Sequence, residues 1–199
     1  IHCIPTFTAS KTTIGKQQIG SYGLYFGRVT EEKGVETVIK AYEKLPEYTV
    51  KIMGDDTTDE AKRLKKYVEN HKMKNVEFLG FKSGAELENV IKGARFTLIP
   101  SIWYDNLPNT ALESFQYSKP VIASNIGSLP ELVIDGENGY LFKPSNVEDL
   151  IKKIKMLDDD TLVKKMGQAS RKRLESRFAP QTHYEDLMKI FNEAVKSRK

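Results

Sequence analysis

The chain has 199 residues, of which 39% are hydrophobic and 29% charged, and its formal net charge is +4. This composition is typical of a globular protein with a sizeable core, and no apolar run approaches the roughly 18 residues of a membrane span. The single cysteine, Cys3, excludes an internal disulfide. One free cysteine fits a reducing compartment, so we expect a cytoplasmic protein. The mild positive charge would also suit anionic ligands or peripheral contact with a membrane surface, and that alternative stays open.

The first 20 residues combine short apolar pieces with a proline and two glycines, which predicts a linker or an interdomain strand. The chain opens at Ile1 without a methionine, as a piece of a longer protein would. From Tyr22 onward, short apolar runs bounded by turn residues predict strands. The six predicted strands are 22–26, 48–53, 76–79, 96–99, 121–123 and 140–142.

Amphipathic stretches with helical spacing separate these strands. Strands of four to six residues that alternate with helices of about 10–15 residues predict βαβ units. The expected fold is therefore α/β, a Rossmann-like doubly wound parallel sheet of about six strands with helices on both faces. In such sheets, ligands bind beyond the carboxyl ends of the strands, at the point where the strand order reverses.

Several helix starts are predicted from capping residues. Asn106 suits an N-cap, with Pro108 in the first turn of the helix that follows. Asp160 is the predicted N-cap of a later helix. Four pairs of a hydroxyl residue and a glutamate three positions on predict capping boxes. These pairs are Thr57/Glu60, Ser83/Glu86, Ser128/Glu131 and Ser145/Glu148. The alternative for Glu131 is contact with a ligand.

Two basic residues flank the first predicted βα connection. Gly27-Arg28 follows the first strand, and Lys33 precedes Gly34 at the start of the next helix. Cations at the carboxyl end of a strand, beside the free amides of a helix N-terminus, would suit a diphosphate. The alternative is that both residues form weak surface ion pairs with Glu31 or Glu32.

A second group of chemically interesting residues surrounds the fourth predicted strand. Asp105 comes just before a helix, and Glu113 lies eight positions further along, within it. A proline-led strand and the segment Gly127-Ser128-Leu129-Pro130-Glu131 follow. Trp103 and Tyr104 follow the carboxyl end of the fourth strand. Either they line a pocket for a sugar or a base, or they simply pack against the protein.

These residues together resemble the donor-binding C-terminal half of the family-4 retaining glycosyltransferases of the GT-B type. The signature of that family is a carboxylate and a glutamate eight positions apart, then a proline-led strand and a glycine-containing loop that ends in Glu. The first carboxylate is usually Glu and is the shorter Asp105 here. The later loop commonly has Gly-Gly, where this chain has Gly127-Ser128. The resemblance runs from about Ser21 to about Tyr184.

The resemblance implies a UDP- or GDP-linked hexose as donor, transfer with the anomeric configuration kept, and no cofactor or bound metal. It implies that Arg28 and Lys33 grip the diphosphate, that Glu113 holds the ribose and that Asp105 meets the donor sugar. The remaining residues expected at the nucleotide-sugar site are Gly27, Phe81, Lys82, Asn106, Leu107, Pro108, Asn109 and Gly127.

The resemblance also implies a domain plan. Residues 21–180 would form the nucleotide-sugar-binding domain, and residues 181–199 a helix that crosses back to an N-terminal domain. That domain would bind the acceptor, which is a glycan, a lipid or another molecule. No nucleic acid partner is expected. This chain alone would then bind donor without transferring sugar. The alternatives are a GT-B-type sugar-nucleotide epimerase half, for which no acid–base pair stands out, and a non-catalytic binding module in which Asp105 marks lost activity.

Overall fold

The computed structural model describes residue 7 and residues 18–196, so most of the predicted linker over residues 1–20 lies outside the described part. The described chain forms one parallel sheet with the strand order β3-β2-β1-β4-β5-β6. The strands are β1 (Tyr22–Phe26), β2 (Thr49–Met53), β3 (Val76–Gly80), β4 (Ala94–Ile99), β5 (Val121–Ser124) and β6 (Gly139–Phe142). The predicted Rossmann-like doubly wound sheet is thereby confirmed.

Helices connect the strands. They are α1 (Val35–Glu43), α2 (Asp59–Asn70), α3 (Gly84–Gly93), α4 (Asn109–Gln116), α5 (Leu129–Leu132), α6 (Val147–Lys155), α7 (Asp160–Arg177) and α8 (Pro180–Lys196). A 3₁₀ turn at Glu31–Lys33 precedes α1. None of the helices in the described part is long and apolar enough to cross a membrane.

The central strands are apolar on both faces because helices cover both. Successive residues of a strand point to opposite faces. Tyr25 accordingly packs in the core beneath α1, α2 and α6, whereas Leu24 and Phe26 pack in a second core that includes Ile91 of α3. Strands buried in this way have continuous apolar runs, which is why the sequence indicated them clearly.

The helix starts depart from the prediction by small steps. The α4 helix begins at Asn109, with Pro108 in the N-cap position, so the assignment of Asn106 as its N-cap is wrong. The side chains of Ser83 and Ser128 do not cap α3 and α5, so those two capping boxes are wrong as well.

In three further helices the cap is the neighbour of the predicted residue. Thr58 caps α2, Asn146 caps α6 and Asp159 caps α7, each through a side-chain oxygen that accepts from a first-turn amide. Each of these residues stands next to a second residue with the same capping chemistry. The local sequence therefore offers two equivalent caps, and the packing of the helix decides between them.

A buried lysine anchors the amino end of the sheet. Lys119 is 1% exposed, and its Nζ donates to the carbonyls of Gln18, Lys92 and Ala94 at 2.7, 2.6 and 2.7 Å. Burial lowers its pKa to about 8. The three carbonyls oppose that shift, since only the charged ammonium form has three N–H donors. Lys119 thus ties the segment that enters β1 to the end of α3 and the start of β4.

Replacing this lysine should destabilise the protein strongly. Lys119→Met keeps the apolar stem but removes the donor shared by three carbonyls, of which the one at Ala94 is buried, and each buried group left unsatisfied costs roughly 1–3 kcal/mol. Removal of the desolvated charge offsets part of that loss, so we expect a decrease of about 2–4 kcal/mol in the free energy of unfolding, measured with urea. The exposed Lys164→Met is the control and should stay within about 0.5 kcal/mol. Equal stability of the two variants would contradict the anchoring role.

The last helix lies at the surface. No residue of α8 is buried, and it exposes the large side chains of Tyr184, Phe191 and Val195. The ring of Phe7 contacts His183 on this helix, with 4.8 Å between the ring centroids. A helix is present as α8 over Pro180–Lys196, the described part of the segment 181–199, whereas its contact with another domain stays a prediction.

Candidate functional site

Two adjoining cavities open at the carboxyl ends of the strands. The chain leaves β1 in one direction along the sheet and returns to β4 on its other side, so the strand order reverses between these two strands. Cavity A, of about 190 Å³, lies over the ends of β1 and β4. Cavity B, of about 320 Å³, lies over the ends of β1 and β2 and beside the segment after β3. Four residues line both: Phe26, Gly27, Arg28 and Thr110. The position is the one predicted for a ligand in such sheets.

Basic side chains line cavity A beside the start of a helix. Arg28 and Lys33 line it together with Asn109 and Thr110, the first two residues of α4. First-turn amides and the helix dipole make such an end favourable for negative charge. Arg28 is exposed, and among the residues that the structure describes no carboxylate forms an ion pair with it. It is thus available to a ligand.

Lys33 faces a carboxylate across the cavity. Its Nζ lies 2.5 Å from Asp105 Oδ1, and Ser101 Oγ donates to the other oxygen, Oδ2, at 2.6 Å. The side chains of Lys33 and Asp105 are 18% and 20% exposed, so this pair is screened by solvent less than an ion pair at the open surface. The alternative in which Lys33 pairs with Glu31 or Glu32 is wrong.

A glycine makes this encounter possible. Gly34 follows Lys33 with φ +66°, and a Cβ built on it would lie 2.1 Å from the carbonyl oxygen of Pro100. The backbone of the turn before α1 therefore touches the loop after β4. The amide of Ile102 also donates to the carbonyl of Glu32 at 3.0 Å across the same contact.

The loop after β5 supports Asp105 from behind. Ser128 Oγ donates to the Asp105 carbonyl and accepts from the Leu107 amide, both at 2.9 Å. Gly127, at φ +59°, approaches so closely that a Cβ would lie 3.3 Å from the backbone N and O of Asp105. These contacts explain why Ser128 does not cap α5. Glu131 is exposed, and its alternative role as a ligand contact stays a prediction.

Cavity B is largely apolar, and two carboxylate residues line it: Asp55, which accepts hydrogen bonds from Thr57, and Glu113. Phe26, Met53 and Leu87 contribute apolar walls, and Phe81 is 74% exposed at its edge. Glu113 of α4 is half-buried on the wall, and within the described chain its carboxylate has no hydrogen-bond or ion-pair partner. Burial alone raises the pKa of the Glu113 carboxyl. A carboxylate held in this way is a ready acceptor for ligand hydroxyl groups.

The predicted site residues divide between the two cavities and their support. Gly27, Arg28, Lys33, Asp105, Pro108 and Asn109 line cavity A. Gly27, Arg28, Phe81, Lys82 and Glu113 line cavity B. Asn106, Leu107 and Gly127 line neither cavity and form the adjacent loops.

Some of the sequence-based expectations for residues near the cavities differ from the structure. Trp103 and Tyr104 are 67% and 74% exposed, so the interpretation that they simply pack is wrong, whereas their contact with a sugar or base stays a prediction. Ser101 and Ser128 were missed as supports of Asp105. Ser101 had a signal, since it stands two residues after the end of β4, whereas Ser128 was assigned to a local cap. Across residue 7 and residues 18–196, no group of three or more His, Cys, Asp or Glu side chains is placed to hold a metal ion.

The raised pKa of Glu113 predicts that replacing this residue with Gln stabilises the folded protein. Because its folded pKa is raised, wild-type stability falls as the pH rises from the ordinary carboxyl pKa through the raised one. Glu113→Gln removes this penalty, and we expect about 0.5–2 kcal/mol more stability at pH 7, a common range for stabilising changes. The difference should shrink at pH 4, where the wild-type carboxyl is protonated.

Thermal melts at both pH values would check this expectation, with the exposed Glu47→Gln as the matched control. A Glu113→Gln protein that melts below the wild type at pH 7 would show that Glu113 makes a stabilising contact after all.

A parallel sheet of this order, with a basic cleft where the strand order reverses, defines the Rossmann-like class of α/β domains. The chain belongs to the family Glycosyl transferases group 1, whose pattern it matches over residues 10–173. An uncharacterized glycosyltransferase of Methanocaldococcus jannaschii is 30% identical over 174 residues, which cover 87% of this chain and 48% of that protein. The chain spans about half the length of the curated relatives it matches.

Solved structures share the fold. The C-terminal domain of a glycosyl transferase group 1 family protein from Francisella tularensis matches with a TM-score of 0.70 and 26% identity, covering 81% of this chain and 88% of that one. An Anabaena protein solved in complex with UDP-glucose matches with a TM-score of 0.78 and 22% identity, covering 87% and 49%. The predicted fold, the C-terminal half of a GT-B protein, is confirmed.

Proposed function

We propose that this chain is the donor-binding half of a retaining glycosyltransferase whose donor is a UDP- or GDP-linked hexose. The observation that carries the proposal is the pairing of the two cavities. Cavity A is cationic and begins at a helix N-terminus, and cavity B is apolar with one free carboxylate. A nucleoside diphosphate has the same two parts in the same order. The Anabaena protein of the same fold, solved with UDP-glucose, supports this choice of ligand.

The diphosphate belongs in cavity A on electrostatic grounds. The charge of Lys33 is balanced by Asp105, so Arg28 supplies the excess positive charge. The amides at the start of α4 add donors without adding a charge. A diphosphate would therefore bind between Arg28, Lys33 and the first turn of α4, through charge-assisted hydrogen bonds.

The nucleoside belongs in cavity B. Its base would cover the apolar wall formed by Phe26, Met53 and Leu87, with the exposed ring of Phe81 at the edge. Glu113 would accept hydrogen bonds from the ribose hydroxyls. These bonds would offset the free-energy cost of the desolvated carboxylate and so contribute to ligand affinity. Because α4 also begins at cavity A, one helix would contact both the phosphates and the ribose.

The same residues would assist the chemistry. Negative charge grows on the diphosphate as it leaves the sugar, and Arg28, Lys33 and the α4 dipole are aimed at that charge. In this proposal the departing diphosphate assists the acceptor hydroxyl, and the hexose is transferred to a glycan, lipid or other acceptor with its anomeric configuration retained. The acceptor would be held by another part of a longer protein, in the cytoplasm or at a membrane surface. Proton NMR of the glycoside made by the full-length protein would test retention.

The chain alone should bind UDP or GDP without a metal. Cations and helix amides, rather than a bridging metal ion, are expected to neutralise the diphosphate. Calorimetry with UDP, GDP and UDP-glucose in EDTA would check this expectation. Binding that disappears in EDTA and returns with magnesium would contradict the metal-free site, and no binding under either condition would contradict the donor-binding role.

The two cations should contribute unequally. Arg28→Ala removes one charge-assisted contact, worth roughly 1.5–3 kcal/mol, and should weaken UDP about tenfold or more while sparing uridine. Lys33→Ala should weaken UDP further, because it also leaves the Asp105 carboxylate uncompensated beside the diphosphate. The double variant Lys33→Ala/Asp105→Asn should therefore bind UDP more tightly than Lys33→Ala.

Calorimetry at two salt concentrations would measure these effects, with the remote Lys164→Ala as the control. Part of the wild-type preference for UDP over uridine should fade with salt, as expected for a site open to solvent. Equal weakening of UDP and uridine would show that these cations do not contact phosphate.

A further inference from the structure

The contact between two loops beside cavity A depends on one hydroxyl group. Ser128, in the loop after β5, bonds to two backbone groups in the loop before α4. Its Oγ donates to the carbonyl of Asp105 and accepts from the amide of Leu107, at 2.9 Å in both cases. Apart from these bonds the two loops meet through the close backbone approach at Gly127.

The segment that Ser128 holds is conformationally unfavourable. Leu107 has φ +30°, a region that residues with side chains rarely adopt. It also precedes Pro108, whose ring restricts the residue before it to extended conformations. A conformation that the local sequence disfavours must be held by its surroundings. The bond from the Leu107 amide to Ser128 supplies such support.

The held segment connects the two parts of cavity A. Before it stands Asp105, whose carboxylate is fixed by Lys33 and Ser101. After it stands Pro108, which precedes the first turn of α4. The Asp105 carboxylate is held by Lys33 and Ser101, and α4 is held by its buried face, so the bonds to Ser128 chiefly set the path of the backbone from 105 to 107 between these two fixed points.

We infer that Ser128 is a positioning residue that sets the affinity of the site for the sugar part of the donor. This inference rests on the proposed function. No residue of the segment 101–109 lines cavity B, where the nucleoside is placed. The segment adjoins cavity A alone, so a donor group beyond the diphosphate, on the side away from the nucleoside, meets Asp105 and the backbone that Ser128 holds. Loss of the hydroxyl frees this backbone and leaves the apolar and cationic contacts of the nucleotide in place.

Amide hydrogen exchange tests the positioning without any ligand. In the wild-type chain the Leu107 amide is protected by its bond to Ser128. Ser128→Ala should speed exchange at Leu107 about tenfold or more, and Ser128→Thr, which keeps the hydroxyl, should restore most of the protection. Ser21→Ala, an exposed serine just before β1, is the matched control and should leave Leu107 unchanged. Unchanged exchange at Leu107 in Ser128→Ala would overturn the positioning role.

Binding by calorimetry tests the consequence, with UDP and UDP-glucose as the probes. Ser128→Ala should keep the Kd for UDP within about twofold and raise the Kd for UDP-glucose about tenfold, with recovery in Ser128→Thr. Equal weakening of both probes would overturn the link to the sugar and indicate general loosening. A wild-type chain that binds neither probe would contradict the proposed function, while the exchange measurement would still decide the positioning of the loop.

Discussion

The ion pair between Lys33 and Asp105 is the interaction on which the rest of the site depends. It joins the turn before α1 to the loop before α4, which are the two connections that flank the reversal of strand order. The backbone approach at Gly34 brings the partners together, and Ser101 and Ser128 hold Asp105 in place. Because the pair is internally neutral, the site gains rigidity there without a large net charge.

The charges around the two cavities are arranged unevenly. Lys33, which is partly buried, has a direct ion pair with Asp105, whereas neither Arg28 nor Glu113 forms a direct ion pair with a described residue, and both line cavity B. A protein selected for stability alone would pair or remove such groups, and departures of this kind concentrate at functional sites. Arg28, beside a helix N-terminus, favours an anion, and Glu113 favours hydroxyl donors. The two side chains are therefore suited to different parts of one ligand.

The sequence predicted the strands well and the contacts between loops poorly. Strand β1 has the predicted bounds, because a strand buried on both faces is a continuous apolar run. The location of Arg28 and Lys33 followed from the rule for carboxyl ends of strands. The bond from Lys33 to Asp105 spans 72 positions, and no local pattern encodes it. Ser128 was misassigned for the same reason: its spacing to Glu131 satisfied a local rule, while its actual partners lie in another loop.

The buried ammonium of Lys119 has a mechanical consequence. It grips the carbonyl of Gln18, and Gly20 is pressed so closely against the backbone of Gly93 that no side chain would fit there. The stretch that leads into β1 is therefore clamped to the body of the sheet from Gln18 onward. A force applied to the chain at Gln18 would therefore pass directly to the end of α3 and the start of β4.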